Sequence, residues 1–328
     1  MPTVLFSAPY MLPETERFQP VFNHFGLDII IPKVNERLSE MELMNYAGQF
    51  DAAICGDDCF TAKVLQACMP RLKVISKWGT GIDSIEREEA ARLGIRIGNT
   101  PNAFTLPVAD TTMGYMLIFA RRLLWLDGQM KKGYWDKAPA RSLADCTLGV
   151  IGVGNVGKAV LRRARAFGMK LFGNDIVDIA PDFILENGVE MLPLGQLLAR
   201  ADFITLHCDL NLTSYHLINE KTLAMIDPSA VLINTARGQV IDEPALIKAL
   251  LSQQLAGVAL DVYENEPLPL DSPLLKIENV MLAPHNANSS PSAWERVHWN
   301  TIRNVLEGLS ISTHDLEIFK HSHSKAEC

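Results

Sequence analysis

The chain has 328 residues, 48% of them apolar and 21% charged, with a net charge of −8 and a pI near 5.5. That length exceeds one ordinary hydrophobic core and predicts two domains. The acidic balance, without a lysine or arginine run able to track phosphates, argues against nucleic acid or an anionic membrane surface as partner.

The N-terminal "MPTVLFSAPY" lacks the basic head and long apolar region of a signal peptide and reads as a first strand. Further strand-like runs follow in "LDIII", "DAAICG", "KVISKWG" and "IRIGNT", separated by helical segments such as "SEMELMNYA" and "SIEREEAARLG". A domain break is expected near "NTPNAF", residues 99 to 104, and then a helix from about Val108 to Leu126. The apolar stretch beginning at Met113 is stopped by Arg121 and Arg122, too short to span a bilayer, and reads as a buried helix. A second series of strands runs through "TLGVIGVG", "KLFGND", "DFITLHC", "AVLINTARG", "AGVALDV" and "VMLAPH". Their apolar runs are continuous rather than alternating, which indicates strands buried on both faces, hence parallel sheets covered by helices. Two such series predict an α/β fold of two doubly wound domains. The cysteines at 55, 59, 68, 146, 208 and 328 show neither zinc spacing nor a C-x-x-C pair, as expected of free thiols in a reducing cytoplasm. The tail "HSHSKAEC" reads as a disordered end, with metal binding by His321 and His323 a weaker alternative.

Gly152, Gly154 and Gly157 form a G-x-G-x-x-G pattern between an apolar strand and the helical "KAVLRRARAFG". The next strand, "KLFGND", ends in Asp175. Glycines there allow a tight turn and close approach of backbone to a pyrophosphate at a helix N-terminus, and the acid accepts from ribose hydroxyls. A carboxylate at 175, with no arginine in "NDIVD", favours NAD over its 2′-phosphorylated form.

Ligands of open parallel sheets bind beyond the carboxyl ends of the strands. Reading those ends in the second series gives His207 and Cys208, then Thr235, Ala236, Arg237 and Gly238, then Asp261 and Glu266, then His285. An arginine holds a carboxylate with two-pronged geometry. A histidine protonates a carbonyl oxygen at neutral pH, and an adjacent carboxylate stabilises the imidazolium. Arg237, Glu266 and His285 are therefore the expected catalytic set for reducing a 2-oxo acid.

The segments "KWGTGIDSI" (77–85), "NTPNAFTLPVAD" (99–110), "GVIGVGNVG" (149–157), "LINTARGQVID" (232–242), "GVALDVYENEP" (257–267) and "LAPHNA" (282–287) resemble the D-isomer-specific 2-hydroxyacid dehydrogenases. That family includes phosphoglycerate dehydrogenases and glyoxylate/hydroxypyruvate reductases. The resemblance implies a Rossmann NAD-binding domain, residues 102 to 286, inserted in a flavodoxin-like substrate domain of residues 1 to 101 completed by 287 to 320. It also implies a homodimer acting on a small 2-oxo or 2-hydroxy acid. By the same resemblance Arg237 orients the substrate carboxylate, Glu266 pairs with His285, and His285 is the acid in reduction and the base in oxidation. Gly79 and Thr80 would hold the carboxylate through backbone amides. Asn155 and Val156 would lie against the pyrophosphate, Cys208, Thr235 and Ala236 along the cofactor, and Asp261 near the nicotinamide amide.

Three departures bear on the substrate. "LHCDLNLTS" puts Asp209 where the family has proline, so an altered loop is expected there. "CGDDCFT" presents Asp57 and Asp58, which would repel a phosphate, with Lys77 as a compensating substrate contact. "HNANSS" leaves two readings open: Asn286 and Asn288 contact cofactor or substrate, or they only cap a turn. The same fold also serves NAD(H)-sensing corepressors, which is the alternative to an enzyme; formate-type relatives carry glutamine where Glu266 stands.

Overall fold

The computed structural model describes residues 1–323, and twelve strands among them form two sheets in which every strand pair is parallel. The chain divides into two units: residues 1–103 with the chain from Ser290 onward, and Phe104–Ser289.

The first unit holds β1 (Thr3–Phe6), β2 (Asp28–Ile30), β3 (Ala52–Cys55), β4 (Val74–Lys77) and β5 (Arg96–Gly98), in the order β2-β1-β3-β4-β5. All five coincide with apolar runs of the sequence. β3 and β4 are buried at every position, whereas the outer β2 and β5 each begin on an exposed charged residue. The helix Pro291–Gly308 packs on β3, β4 and β5, a placement not readable from its sequence. Its buried stripe includes Val297, Ile302, Val305 and Leu306. Each such side chain contributes about 1.5–3 kcal/mol of burial. Ser76 donates its hydroxyl to the Thr301 carbonyl at 2.9 Å, and a Cβ on Gly308 would come within 2.4 Å of Val74, so helix and strand touch backbone to side chain.

On this helix His298 accepts the indole N–H of Trp78 at Nδ1, 2.9 Å away, and burial lowers its pKa to about 4 against the opposing pull of Glu295 and Glu14. The imidazole is neutral in the fold, while the unfolded chain takes a proton below its ordinary 6.5. Stability is therefore full above that value and is lost as the pH falls from 6.5 toward about 4, by up to about 3 kcal/mol. His298→Asn retains an acceptor oxygen and removes the titration. The expected result is a smaller fall in melting temperature between about pH 7 and about pH 4.5 for the variant than for the parent; parallel falls would exclude His298 as the cause.

The second unit orders β6 (Thr147–Ile151), β7 (Lys170–Asn174), β8 (Val189–Met191), β9 (Phe203–Leu206), β10 (Val231–Asn234), β11 (Gly257–Leu260) and β12 (Val280–Leu282) as β12-β11-β10-β9-β6-β7-β8. This is the dinucleotide-binding order, with β12 added at one edge. β8 was not legible in the sequence: it is three residues long, at the other edge, with exposed Glu190 in its centre. The helix expected from Val108 to Leu126 is two helices, Thr105–Arg121 and Leu123–Lys131. Arg122 breaks it by adopting φ +57°, its N–H closing on the Ile118 and Phe119 carbonyls and its guanidinium lying 4.2 Å over the Trp125 ring. The apolar stretch from Met113 packs into the core of this unit, and among the described residues no helix is long and apolar enough to cross a membrane.

The chain leaves the second unit after Ser289 rather than after residue 286. The reason is local: Asn286 and Ala287 donate their amides to Asp261, and the Ala287 carbonyl accepts from Thr111. At the far end, the last helix runs Leu316–His323, so the backbone at His321 and His323, read as part of a disordered tail, is helical. Residues 324–328 of that tail lie outside the described residues.

Candidate active site

The turn after β6 is built for close backbone approach. Gly152 sits at φ +90°, and a Cβ there would meet the Cys208 amide nitrogen at 2.5 Å. A Cβ on Gly157 would meet the Gly152 carbonyl oxygen at 2.1 Å. Gly154, by contrast, has no atom within 4 Å of its Cβ position, and with Asn155 it is exposed at the start of the helix Asn155–Ala166, with Val156 half-buried behind them. The glycines thus have separate tasks: two let the turn, helix and strand close together, and one leaves an open face over the amides of a helix N-terminus. Asp175, at the exit of β7, accepts the Val153 amide at 2.6 Å and the Val177 amide at 3.1 Å. It borders a groove of about 540 Å³ that is also lined by Val177, Asp178, Ile179 and Met191. Apolar walls with two carboxylates suit an adenosine and repel a 2′-phosphate, so the residues present fit NAD.

At the exit of β10, Asn234 is fully buried and its amide side chain ties the loop to itself, accepting from the Ala236 N–H at 3.0 Å and donating to the Arg237 carbonyl at 2.9 Å. Gly238 comes next, and a Cβ on it would lie 1.8 Å from the Tyr263 carbonyl carbon. The Arg237 loop therefore rests directly on the backbone of the segment that leads to Glu266. There the Glu266 carboxylate takes the Tyr263 amide on Oε1 at 3.0 Å and the His285 Nδ1 on Oε2 at 2.9 Å. With Nδ1 held by the carboxylate, the acid/base role falls to Nε2. His285 is held at φ +50°, its amide donating to the Asp261 carbonyl at 2.7 Å. This is a conformation that histidine adopts at a cost, found where surrounding structure over-determines it.

Asp261, expected near the nicotinamide amide, is tied to the His285 loop. It is 1% exposed, and its two oxygens receive the Asn286 and Ala287 amides, each at 2.9 Å. Burial raises its pKa and those amides lower it. It is a clamp on the His285 loop. Asn234 and Tyr263 were not singled out from the sequence. The signal for Asn234 was present, a buried amide ending a wholly apolar strand. Tyr263 bonds the Ala283 carbonyl at 2.8 Å across a separation that no local pattern reveals.

Two histidines stand at strand ends, and their surroundings separate them. His207 lies between the Thr205 hydroxyl at 3.0 Å and the Thr235 hydroxyl at 3.5 Å, and burial lowers its pKa to about 3, so it stays neutral. His285 has a carboxylate instead. Of the two, only His285 has a carboxylate partner able to stabilise an imidazolium. The Thr235 hydroxyl also reaches Thr112 at 3.3 Å. Burial pushes the Cys208 thiol up to about 11, which makes it a wall rather than a nucleophile. In the Asp209 loop, Asn211 and Ser214 close the turn through the Asp209 carbonyl.

Of the residues expected to touch substrate in the first unit, Gly79 and Thr80 leave their amides open. Gly79 has φ +127°, the Thr80 hydroxyl donates to the Thr100 carbonyl at 3.0 Å, and neither amide N–H has an acceptor among the described residues. Lys77 does not qualify. It is 5% exposed, its ammonium sits 3.1 Å from Asp57 and donates to the Trp78 carbonyl at 3.2 Å, so its charge is already matched. Asp58, expected to repel a phosphate, is instead fully buried, accepting from the Ser7 hydroxyl and the Leu38 amide, and does not confront a ligand. Burial raises its pKa to about 6. Asn286 is exposed, while the half-buried Asn288 has a buried side-chain oxygen with no partner among the described residues.

A dinucleotide cradle, a guanidinium and a carboxylate-paired imidazole on adjacent strand exits define an oxidoreductase site with an acid/base pair. Residues 113–287 match the family model described as the D-isomer specific 2-hydroxyacid dehydrogenase NAD-binding domain. A glyoxylate reductase of Korarchaeum cryptofilum is 40% identical over 76% of this chain and 76% of its own length. A D-3-phosphoglycerate dehydrogenase of Methanocaldococcus jannaschii is 41% identical over 73% of this chain and 46% of its own. A crystal structure of Aquifex aeolicus D-lactate dehydrogenase complexed with NAD and lactic acid superposes with a TM-score of 0.82 at 28% identity, covering 94% of this chain and 97% of the other. The chain belongs to the D-isomer-specific 2-hydroxyacid dehydrogenase family.

Proposed function

We propose that this chain is an NAD-dependent oxidoreductase that interconverts a small D-2-hydroxy acid and its 2-oxo acid, with Arg237, Glu266 and His285 as its catalytic residues. The observation that carries the reading is the His285–Glu266 hydrogen bond at 2.9 Å, on the strand exits next to Arg237 and in the same unit as the glycine turn. NADH, when bound, supplies the hydride that adds to the carbonyl carbon. Arg237 binds the carboxylate and polarises the carbonyl. His285 donates its Nε2 proton to the carbonyl oxygen, and Glu266 stabilises the imidazolium that precedes transfer. In the reverse direction neutral His285 removes the hydroxyl proton.

Glyoxylate and hydroxypyruvate suit this reading better than a phosphorylated acid, because the charge of Lys77 is matched by Asp57. The test is NADH oxidation with glyoxylate, hydroxypyruvate, pyruvate, phosphohydroxypyruvate and bulkier 2-oxo acids. Turnover of the small unphosphorylated acids is expected. Tight NADH binding without turnover of any 2-oxo acid would replace the enzyme with an NAD(H) sensor.

A homodimer belongs to the same proposal. Leu124, Trp125, Tyr134 and Trp135, close together in the chain of the second unit, are 56%, 38%, 57% and 77% exposed, and large exposed apolar side chains that gather mark association surfaces. A monomer mass by light scattering would refute it. The thiols at 55, 59, 68, 146 and 208 are free, consistent with the reducing cytoplasm in which we place the protein.

A further inference from the structure

A second histidine–glutamate pair lies behind the first, on the same turn of the second unit. His216 Nε2 is 2.7 Å from Glu264 Oε1, and Glu264 stands two residues before Glu266. The stretch from Tyr263 to Glu266 thus gives one carboxylate to His285 and the other to His216. Both histidines have left-handed backbone, His285 at φ +50° and His216 at φ +48°. A non-glycine residue adopts that conformation at a cost and keeps it where its surroundings over-determine it.

The surroundings of His216 are the Arg237 loop and the Glu266 turn. Its amide donates to the Gln239 carbonyl at 2.9 Å, and the Gln239 side chain donates to the Glu264 carbonyl at 3.0 Å. The Ile218 amide donates to the Val240 carbonyl at 3.0 Å, and the Val240 amide donates in turn to the Arg237 carbonyl at 3.2 Å. Glu264 is also held by the helix Glu243–Leu251: its Oε1 accepts the Glu243 amide at 3.3 Å, and its own amide donates to Glu243 Oε2 at 3.2 Å. The Tyr215 ring stacks on the His216 imidazole, with centroids 4.1 Å apart and planes 16° apart. Residues 216, 239 and 264 therefore close a ring of hydrogen bonds that joins the loop carrying Arg237 to the turn carrying Glu266.

The carboxylate and the carbonyl oxygen of a 2-oxo acid lie on adjacent carbons, so their anchor and their proton donor must keep one spacing. The packing of Gly238 on Tyr263 limits how near the two strand exits come. Hydrogen bonds are directional and hold them from parting.

We infer that His216 and Glu264 are positioning residues, a clasp that fixes Arg237 against the Glu266–His285 pair. The inference rests on the dehydrogenase reading above.

The experiment measures kcat/KM for glyoxylate, hydroxypyruvate and pyruvate, and for the corresponding 2-oxo amides, in the parent, His216→Phe, His216→Gln and Glu264→Ala. NADH affinity and melting temperature are followed alongside. The acid-to-amide ratio reports Arg237 and does not depend on how much of a preparation is folded. His216→Phe keeps a ring against Tyr215 and removes the donor to Glu264. It should lower kcat/KM for the acids by about tenfold or more and the acid-to-amide ratio by about tenfold, with NADH affinity unchanged. Glu264→Ala should do the same. His216→Gln keeps an N–H donor at similar reach on the same strained backbone, so it should recover most of the parent's ratio. A parent-like ratio in His216→Phe, even with a lower melting temperature, overturns the clasp and leaves the dehydrogenase reading intact. So does a His216→Gln variant as impaired as His216→Phe. If Glu264→Ala does not fold, the two His216 variants decide. Absence of turnover with every 2-oxo acid in the parent defeats the dehydrogenase reading, and the clasp with it.

Discussion

Replacing His285 lowers kcat for 2-oxo acid reduction by about two orders of magnitude or more while NADH affinity stays close to that of the parent. The size follows from general acid catalysis: without the imidazole, the oxyanion formed on hydride addition must take its proton from water. The affinity is expected to hold because the glycine turn and Asp175 lie at the exits of β6 and β7, on the other side of β9 and β10 from the His285 loop. The choice of substitution matters. His285 sits at φ +50°, where alanine is strained, whereas asparagine tolerates the left-handed region. His285→Asn thus isolates the loss of the imidazole, and His285→Ala adds the cost of the backbone. Stopped-flow NADH oxidation and fluorescence titration of NADH separate the two effects. A His285→Asn variant that retains most of the parent's rate would remove His285 from the mechanism.

Gly238→Ala should damage catalysis almost as severely without touching a catalytic side chain. Its Cβ would lie 1.8 Å from the Tyr263 carbonyl carbon and 2.4 Å from the Glu264 nitrogen, both backbone atoms with no rotamer to escape into. The strand exits must separate, which displaces Arg237 on one side and the Glu266–His285 pair on the other. A misplacement of about 1 Å costs on the order of a hundredfold in rate. The expected result is a fall in kcat/KM of that order together with a lower melting temperature. Gly195→Ala serves as the control, since its Cβ would meet only the Met225 sulfur at 3.5 Å, an ordinary contact in a helix. Equal activity in the two variants would show that the contact at Gly238 yields without moving the site.

Much of the site was open to reading before any fold was known. Arg237, Glu266 and His285 each follow an apolar run, and in a parallel sheet the exits of strands share one edge, so chemistry-bearing residues in those positions converge. The glycine pattern and Asp175 were legible for the same reason, since turn, helix and acid are neighbours in sequence. Eleven of the twelve strands announced themselves as apolar runs, because central parallel strands are buried on both faces. β8 did not, being short and at an edge. The break at Arg122 was equally hidden, because no glycine or proline marks it.

Composition, strand runs and motif order thus determined the two α/β units, the cofactor and the choice of the proposed acid/base pair, all of which depend on residues close in sequence or on a topology that brings strand ends together. Tertiary structure alone decided which charges and donors are available to a ligand. Lys77 is spent on Asp57, Asp58 on Ser7 and Leu38, and Asp261 on the His285 loop, while the Trp294 N–H has no acceptor among the described residues. Those outcomes turn on burial and hydrogen-bond geometry between segments remote in the chain, and a charge read from sequence carries no record of the partner that neutralises it.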